Sequence, residues 1–356
     1  VSGHHLWPTS EQKLLLQAAL AGDGAGMAAI DAWHSRTDFG GAIDSGSFRL
    51  LPLAHANLEA LGCEHPAMQM LGGVRRRAWV ETQLRDRFAT EVLREFAAGG
   101  IPTIVAKGLA LAHGFYPDPA LRPMSDVDLL VPPSRADAAI SALQALGFEL
   151  LAGCEAGPIL SHAVHLIRDG REQIDLHIAL FSDIGPAEAQ DRVWDAAVPV
   201  KIRGVEALRP GDSDMLLHVM VHGVRANPVP PLRWVTDAAM IMRNGGPLDW
   251  DRIVDGAIAL KVSVRLRMAL DFLIDEMDFQ VPAAPIERLR TVRPALFERM
   301  ENAAILSLWK RPGWAARWGS RAAMTGRLVS SGQIRRLRGL VAGSFRRRLA
   351  AARRRA

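Results

Sequence analysis

"RPMSDVDLLV", residues 122–131, sets two aspartates one residue apart in a run that otherwise reads as a buried strand. Like charges so close in apolar surroundings are unfavourable unless a positive group lies between them. Residues i and i+2 of a strand share a face. Asp126 and Asp128 therefore point one way, and Val127, Leu129 and Val131 the other. "EQIDLHIAL" (172–180) has the same grammar, with Ile174, Leu176 and Ile178 on one face and Asp175 and His177 on the other. If the two strands are neighbours in one sheet, three carboxylates converge over an apolar layer. Oxygen donors gathered in this way suit a hard divalent cation such as magnesium, with manganese as the alternative. Two such ions about 4 Å apart support in-line displacement at phosphorus.

Outward from this centre, "IPTIVAKG" (101–108) is a short β-branched run that reads as a strand ending in glycine. Lys107–Gly108 then marks a strand-to-helix turn, where backbone can approach a phosphate and the helix N-terminus favours an anion. "LALAHGFY" reads as a brief helix, "PDPALRP" as a loop, "SDVDLLV" (125–131) as the second strand and "SRADAAISALQALG" (134–147) as an amphipathic helix. "FELLA" is a further short strand, and "AVHLIRDGREQIDLHIAL" (163–180) is a hairpin turning at Asp169–Gly170. The expected fold class is α+β, a small mixed β-sheet between helical regions. An exposed strand end is the ordinary explanation of a lone D-x-D; the ordered set of turn, paired carboxylates and third carboxylate favours a site.

"KGLALAHGFYPDPALRPMSDVDLLV" followed by "QIDLHIAL" resembles the polymerase-β-like nucleotidyltransferase superfamily. More narrowly, it resembles a poorly characterised bacterial family with a Lys-Gly turn, an Arg-x-x-x-Asp-x-Asp strand and a later Asp-x-His strand. The resemblance spans roughly residues 75–240, and its specific part is the D-x-D with its flanks. It implies a magnesium-dependent catalytic core in which Asp126 and Asp128 are paired metal ligands and Asp175 is the third carboxylate. Gly108 would be the phosphate-facing turn residue. The superfamily more often has Gly-Gly or Gly-Ser there, whereas this chain has Lys107–Gly108–Leu109. The departure removes a hydroxyl and adds a charge that can bind phosphate as a point cation. Arg122 matches the narrower family's arginine, with phosphate contact and a salt bridge to an aspartate as its two readings.

The implied reaction is attack by a substrate hydroxyl on the α-phosphorus of a nucleoside triphosphate, with loss of pyrophosphate. The acceptor is a small hydroxylated metabolite, a peptide or protein side chain, or RNA. Attack at the γ-phosphorus by the same metals would make the chain a phosphotransferase, and a non-catalytic nucleotide- or RNA-binding protein is the further rival. His177 is placed with the nucleotide site, as a partner of the metal ligands or an acid/base group, or else as a strand histidine bonded at the cleft edge. His162 and His165 are assigned structural roles. His218 and His222, four apart without H-E-x-x-H, are read as helix core, Asp237 as a cap or salt bridge, and Tyr116 as core.

Residues 1–100 read as a helical region. "TSEQ" (9–12) forms a capping box, "SFRLLPLAHANLEALG" stops at Gly62, and Trp79, Leu84, Phe88, Val92 and Phe96 form a stripe on a long helix. The catalytic core is expected over 101–182, a second helical region over 183–309 and a basic tail over 310–356. No run of eighteen apolar residues occurs, and the first residues lack a basic segment followed by a long apolar one. Cys63 and Cys154 are the only cysteines and suggest neither disulfides nor zinc. A reducing cytoplasm is the expected compartment. Of 43 basic residues, 14 follow Glu301 with no acidic residue among them, leaving 29 against all 38 acidic ones up to and including Glu301. In the tail Ile334, Leu337, Val341, Phe345 and Leu349 recur at helical spacing between arginines. Such a segment suits an anionic membrane or an RNA backbone, or is simply a solvated tail.

Overall fold

The computed structural model describes residues 6–22, 24–37, 43–151, 163–181, 187–224 and 231–310. The expected amphipathic tail helix, Cys154 and His162 lie outside the described residues. In chain order the elements begin with α1 (Ser10–Leu20), α2 (Gly24–Arg36), α3 (Ser45–Phe48), α4 (Leu51–Ala60), α5 (Met68–Ala98), β1 (Ile104–Ala106) and α6 (Lys107–Phe115). Next come β2 (Val127–Leu130), α7 (Ala136–Ala145), β3 (Glu149–Leu150), β4 (Ala163–Arg168), β5 (Glu172–His177), α8 (Ala187–Asp195), β6 (Val198–Ile202) and β7 (Val205–Arg209). The last are α9 (Asp212–Gly223), α10 (Arg233–Asn244), α11 (Trp250–Ala259), α12 (Ser263–Met277), α13 (Ala283–Thr291) and α14 (Leu296–Lys310). Among the described residues, no helix is long and apolar enough to cross a membrane.

Two compact units divide these elements. The described residues of Arg85–Ala110 and Ser125–Pro210 hold the sheet; those of Val1–Leu84, Leu111–Met124 and Gly211–Ser320 are helical. The sheet has seven strands in the order β3-β4-β5-β2-β1-β7-β6. It is mixed: β2 runs parallel to β5 and β1 parallel to β7, and the other neighbours are antiparallel. Every residue of β1 and β2 is buried, as expected of central strands covered on both faces. The β4–β5 hairpin turns where the sequence indicated. Asp169 (φ 52°) and Gly170 (φ 67°) are both left-handed, as a type I′ turn requires. Arg168 braces this hairpin. It pairs with Glu91 and Glu172, donates to the Leu146 carbonyl and lies over the Phe148 ring.

In the helical unit α9 is buried along nearly its whole length, including His218 and the aspartate Asp214. It packs against α10, α11 and α12. Asp214 is held by the Arg252 guanidinium, with Nη2–Oδ2 at 2.7 Å. Close approach of α10 depends on Gly223, where a β-carbon would lie 2.2 Å from Trp234 Cγ. The Thr9–Gln12 capping box forms at the start of α1.

Three expectations are corrected. Strands return after residue 182: β6 and β7 form a hairpin through left-handed Arg203 (φ 46°) and Gly204 (φ 79°), and β7 joins the sheet beside β1. Their short period-two pattern was concealed among helical ones. The stripe on α5 is split. Phe88, Val92 and Phe96 are buried, but Trp79 and Leu84 are 52% and 60% exposed. Finally, β2 starts at Val127 rather than Ser125, so Asp126 precedes the strand.

Candidate active site

The parallel pairing of β2 with β5 sets Asp128 directly beside Asp175 and Leu130 beside His177. Leu129 and Leu176, with Val127 and Ile174, fill the opposite face and are fully buried. The apolar alternation thus fixes the register, and the register turns the two aspartates to one side. Ligand atoms of Asp128, Asp175 and His177 lie within 4.8 Å of one another.

Asp128 and His177 are the buried members. Asp128 Oδ1 is 2.7 Å from Lys107 Nζ and 2.8 Å from His177 Nε2, and the lysine and histidine nitrogens are 3.1 Å apart. Burial pushes the Asp128 carboxyl up. The hydrogen bond with His177 and the Lys107 ammonium outweigh that push and hold its pKa down at about 2. Asp175 is the more open carboxylate, with 16% of its side chain exposed against 5% for Asp128. Its Oδ1 is 2.5 Å from Nδ1 of His165, the residue opposite it on β4. His165 was assigned a structural role from sequence; the structure places it on the third carboxylate. Its spacing of ten residues from Asp175 does not by itself pair the two, because the register depends on the length of the turn between them.

The other expected site residues fall less simply. Asp126 is half-buried just before β2 and accepts a hydrogen bond from the Ser125 hydroxyl at 3.0 Å. It is not a member of the close Asp128–Asp175–His177 group. Lys107, the first residue of α6, adopts a left-handed backbone (φ 43°), whereas Gly108 lies inside the helix without a positive φ. The special turn geometry expected of Gly108 therefore belongs to the lysine before it.

Arg122 belongs to the helical unit, where its guanidinium forms a two-point pair with Asp237 of α10: Nε–Oδ1 at 2.7 Å and Nη2–Oδ2 at 2.9 Å. The Tyr116 hydroxyl donates to the same Asp237 Oδ1 at 2.8 Å. All three are buried. Burial, with the Asp237 charge adding to it, raises the Tyr116 phenol well above its usual pKa. Of the two readings of Arg122, the salt bridge to an aspartate is the one found. Arg233 adds a hydrogen bond to the Pro123 carbonyl at 2.8 Å, tying down the end of the same loop.

The donor chemistry fits a divalent cation. Two carboxylates and one imidazole lie close together, and a further carboxylate sits at the strand entrance. The carboxylate oxygens suit magnesium or manganese.

The sequence matches the family described as "Uncharacterised nucleotidyltransferase" over residues 47–274. No curated protein matches it. Among solved structures, it is similar to the antibiotic-resistance factor ANT(2'')-Ia in solution, with 14% identity, a TM-score of 0.33, and coverage of 58% of this chain and 90% of that one. A crystal structure of ANT(2'')-Ia with adenylyl-2''-tobramycin gives 13% identity, a TM-score of 0.35, and coverage of 50% and 97%. An antigenic nucleotidyltransferase-like protein from Paracoccidioides brasiliensis gives 16% identity, a TM-score of 0.37, and coverage of 58% and 91%.

Proposed function

Since this chain belongs to the uncharacterised nucleotidyltransferase family and is an enzyme of that class, we propose that it moves a nucleoside monophosphate from a nucleoside triphosphate to a hydroxyl acceptor, releasing pyrophosphate, with magnesium or manganese at Asp128 and Asp175. The observation that carries this reading is the parallel register placing the two carboxylates side by side, with His177 completing the group. When bound, the metal supplies positive charge that offsets the triphosphate oxygens and acidifies a hydroxyl.

The chain's own residues have separable tasks. Asp128, ionised far below neutral pH, presents a fixed negative charge from a rigid central strand. His177 orients that carboxylate from the neighbouring strand. Asp175, the more open carboxylate, is the one we assign to the acceptor side, with His165 setting its orientation. Lys107 is the cation assigned to the phosphates, in place of the small hydroxyl residue common in the superfamily. Asp126, one step before the strand, is assigned to the second metal position.

Calorimetric titration of ATP, GTP, CTP and UTP with magnesium, in the wild type and Asp128→Asn, tests this reading. We expect at least one triphosphate to bind only with metal, and the binding to vanish in the variant. In turnover, α-phosphorus label should remain on the acceptor. Transfer of γ-label instead would reassign the chain as a phosphotransferase.

A further inference from the structure

Lys107 stands in a backbone conformation that glycine adopts freely and lysine does not. A left-handed φ of 43° brings its β-carbon toward the following carbonyl. Asp169 and Arg203 adopt the same conformation in hairpin turns, so what sets Lys107 apart is where its side chain lies. That place is defined: Nζ lies 2.7 Å from Asp128 Oδ1 and 3.1 Å from His177 Nε2. Asp128 and His177 are two of the three residues in the group that fits a metal. An ammonium and a divalent cation cannot both sit on one carboxylate oxygen without strong repulsion. The lysine is also the open member of the cluster, with 25% of its side chain exposed against 5% for Asp128 and 3% for His177. Its flexible stem can therefore withdraw toward solvent while the other two stay fixed.

We propose that Lys107 is a resident counter-cation of the metal centre. It holds Asp128 and His177 in place without metal, and releases them when a triphosphate arrives to take its ammonium. This proposal rests on the assignment of Asp128 as a metal ligand in the proposed function. Its consequence is selectivity. Free metal must displace the lysine without compensation, whereas a metal–triphosphate complex offers the lysine a new anionic partner. The site then favours the complex over either component alone, and by linkage metal and triphosphate each strengthen the binding of the other.

The test uses manganese as the probe, with free Mn²⁺ read by its paramagnetic resonance signal, and compares the wild type with Lys107→Gly. Glycine accepts the left-handed turn, so the variant removes the amine while relieving the backbone. We expect Lys107→Gly to bind manganese alone at least roughly tenfold tighter, and the manganese complex of inorganic tripolyphosphate roughly tenfold more weakly. Opposite shifts are the signature, because a merely damaged fold would weaken both. Lys107→Met, which keeps the stem, should give the same pair of shifts and replaces Lys107→Gly if that variant does not fold. Manganese binding no tighter than wild type, or tripolyphosphate-complex binding undiminished, overturns the proposal while leaving the metal centre intact. No manganese binding in any form, with or without tripolyphosphate, overturns the proposed function and this assignment together.

Discussion

Replacing Asp128 by asparagine should destabilise the metal-free protein at neutral pH, and the loss should disappear in acid. The carboxyl's pKa moves from 3.8 to about 2 on folding. At about 1.4 kcal/mol per unit, the ionised group contributes roughly 2–3 kcal/mol to folding. The side chain is almost wholly buried, so solvent screening takes little from that figure. Because the folded-state pKa is depressed, the unfolded chain binds more protons between the two values. The contribution is therefore complete above pH 3.8, falls to roughly half at pH 3 and is gone below pH 2. Urea unfolding of wild type and Asp128→Asn, with chelator present and at a series of pH values, measures the difference directly. Chelator matters, because a bound cation would replace Lys107 as the partner being tested. A variant as stable as wild type at pH 7, or a difference that does not change between pH 3 and 7, would refute the reasoning. It would mean that burial of the charge offsets its pairing with Lys107 and His177 entirely.

His165→Ala should weaken manganese binding by about tenfold or more, the usual effect of removing a group that orients a ligand, and His165→Asn should recover most of it by placing an amide nitrogen where Nδ1 bonds Asp175; calorimetry distinguishes the two. Arg122→Met should cost about 3–5 kcal/mol by stranding the buried Asp237 carboxylate, while the double replacement of Arg122 and Asp237 by methionine should recover most of that loss in urea melts. Gly223→Ala should lower the thermal midpoint through a destabilisation of about 1–3 kcal/mol, since its new methyl would overlap Trp234 and force α10 outward; an unchanged midpoint would show that α10 yields freely.

The carboxylate pair was legible because strand periodicity states which residues share a face, and the flanking apolar residues state which face is buried. Adjacency of the two strands was a condition the sequence could pose but not answer. It is met by β2 lying parallel to β5. His165 was not legible for a definite physical reason. A two-residue turn at Asp169–Gly170 would pair Arg168 with Arg171 and turn His165 toward Ile174. The structure pairs Arg168 with Glu172, one residue further, so His165 faces Asp175. A slip of one residue moves every side chain to the other face, and nothing in "RDGRE" declares the extra residue. The Arg122–Asp237 pair joins residues 115 apart, and no local pattern encodes a partner at that separation. The β6–β7 hairpin was readable in principle. "VPVKIRGVEALR" alternates about an Arg-Gly turn, but its strands are short and its neighbours strongly helical.

Two breaches of local rules in the sheet unit meet at one contact. Asp128 puts a carboxylate in a strand whose every residue is buried, and Lys107 puts a β-carbon where the left-handed backbone favours glycine. Each would be costly alone, and an apolar residue at 128 with glycine at 107 would satisfy strand and turn alike. A structural salt bridge does not account for both, since buried ion pairs seldom outperform well-packed apolar replacements. Sequences depart from local consistency chiefly where function requires it. These two departures meet at 2.7 Å, beside a third titratable group on the adjoining strand, which is the arrangement the proposed exchange of Lys107 for a metal requires. It makes Lys107, rather than either flanking carboxylate, the residue whose replacement most sharply separates a binding site from a structural pair.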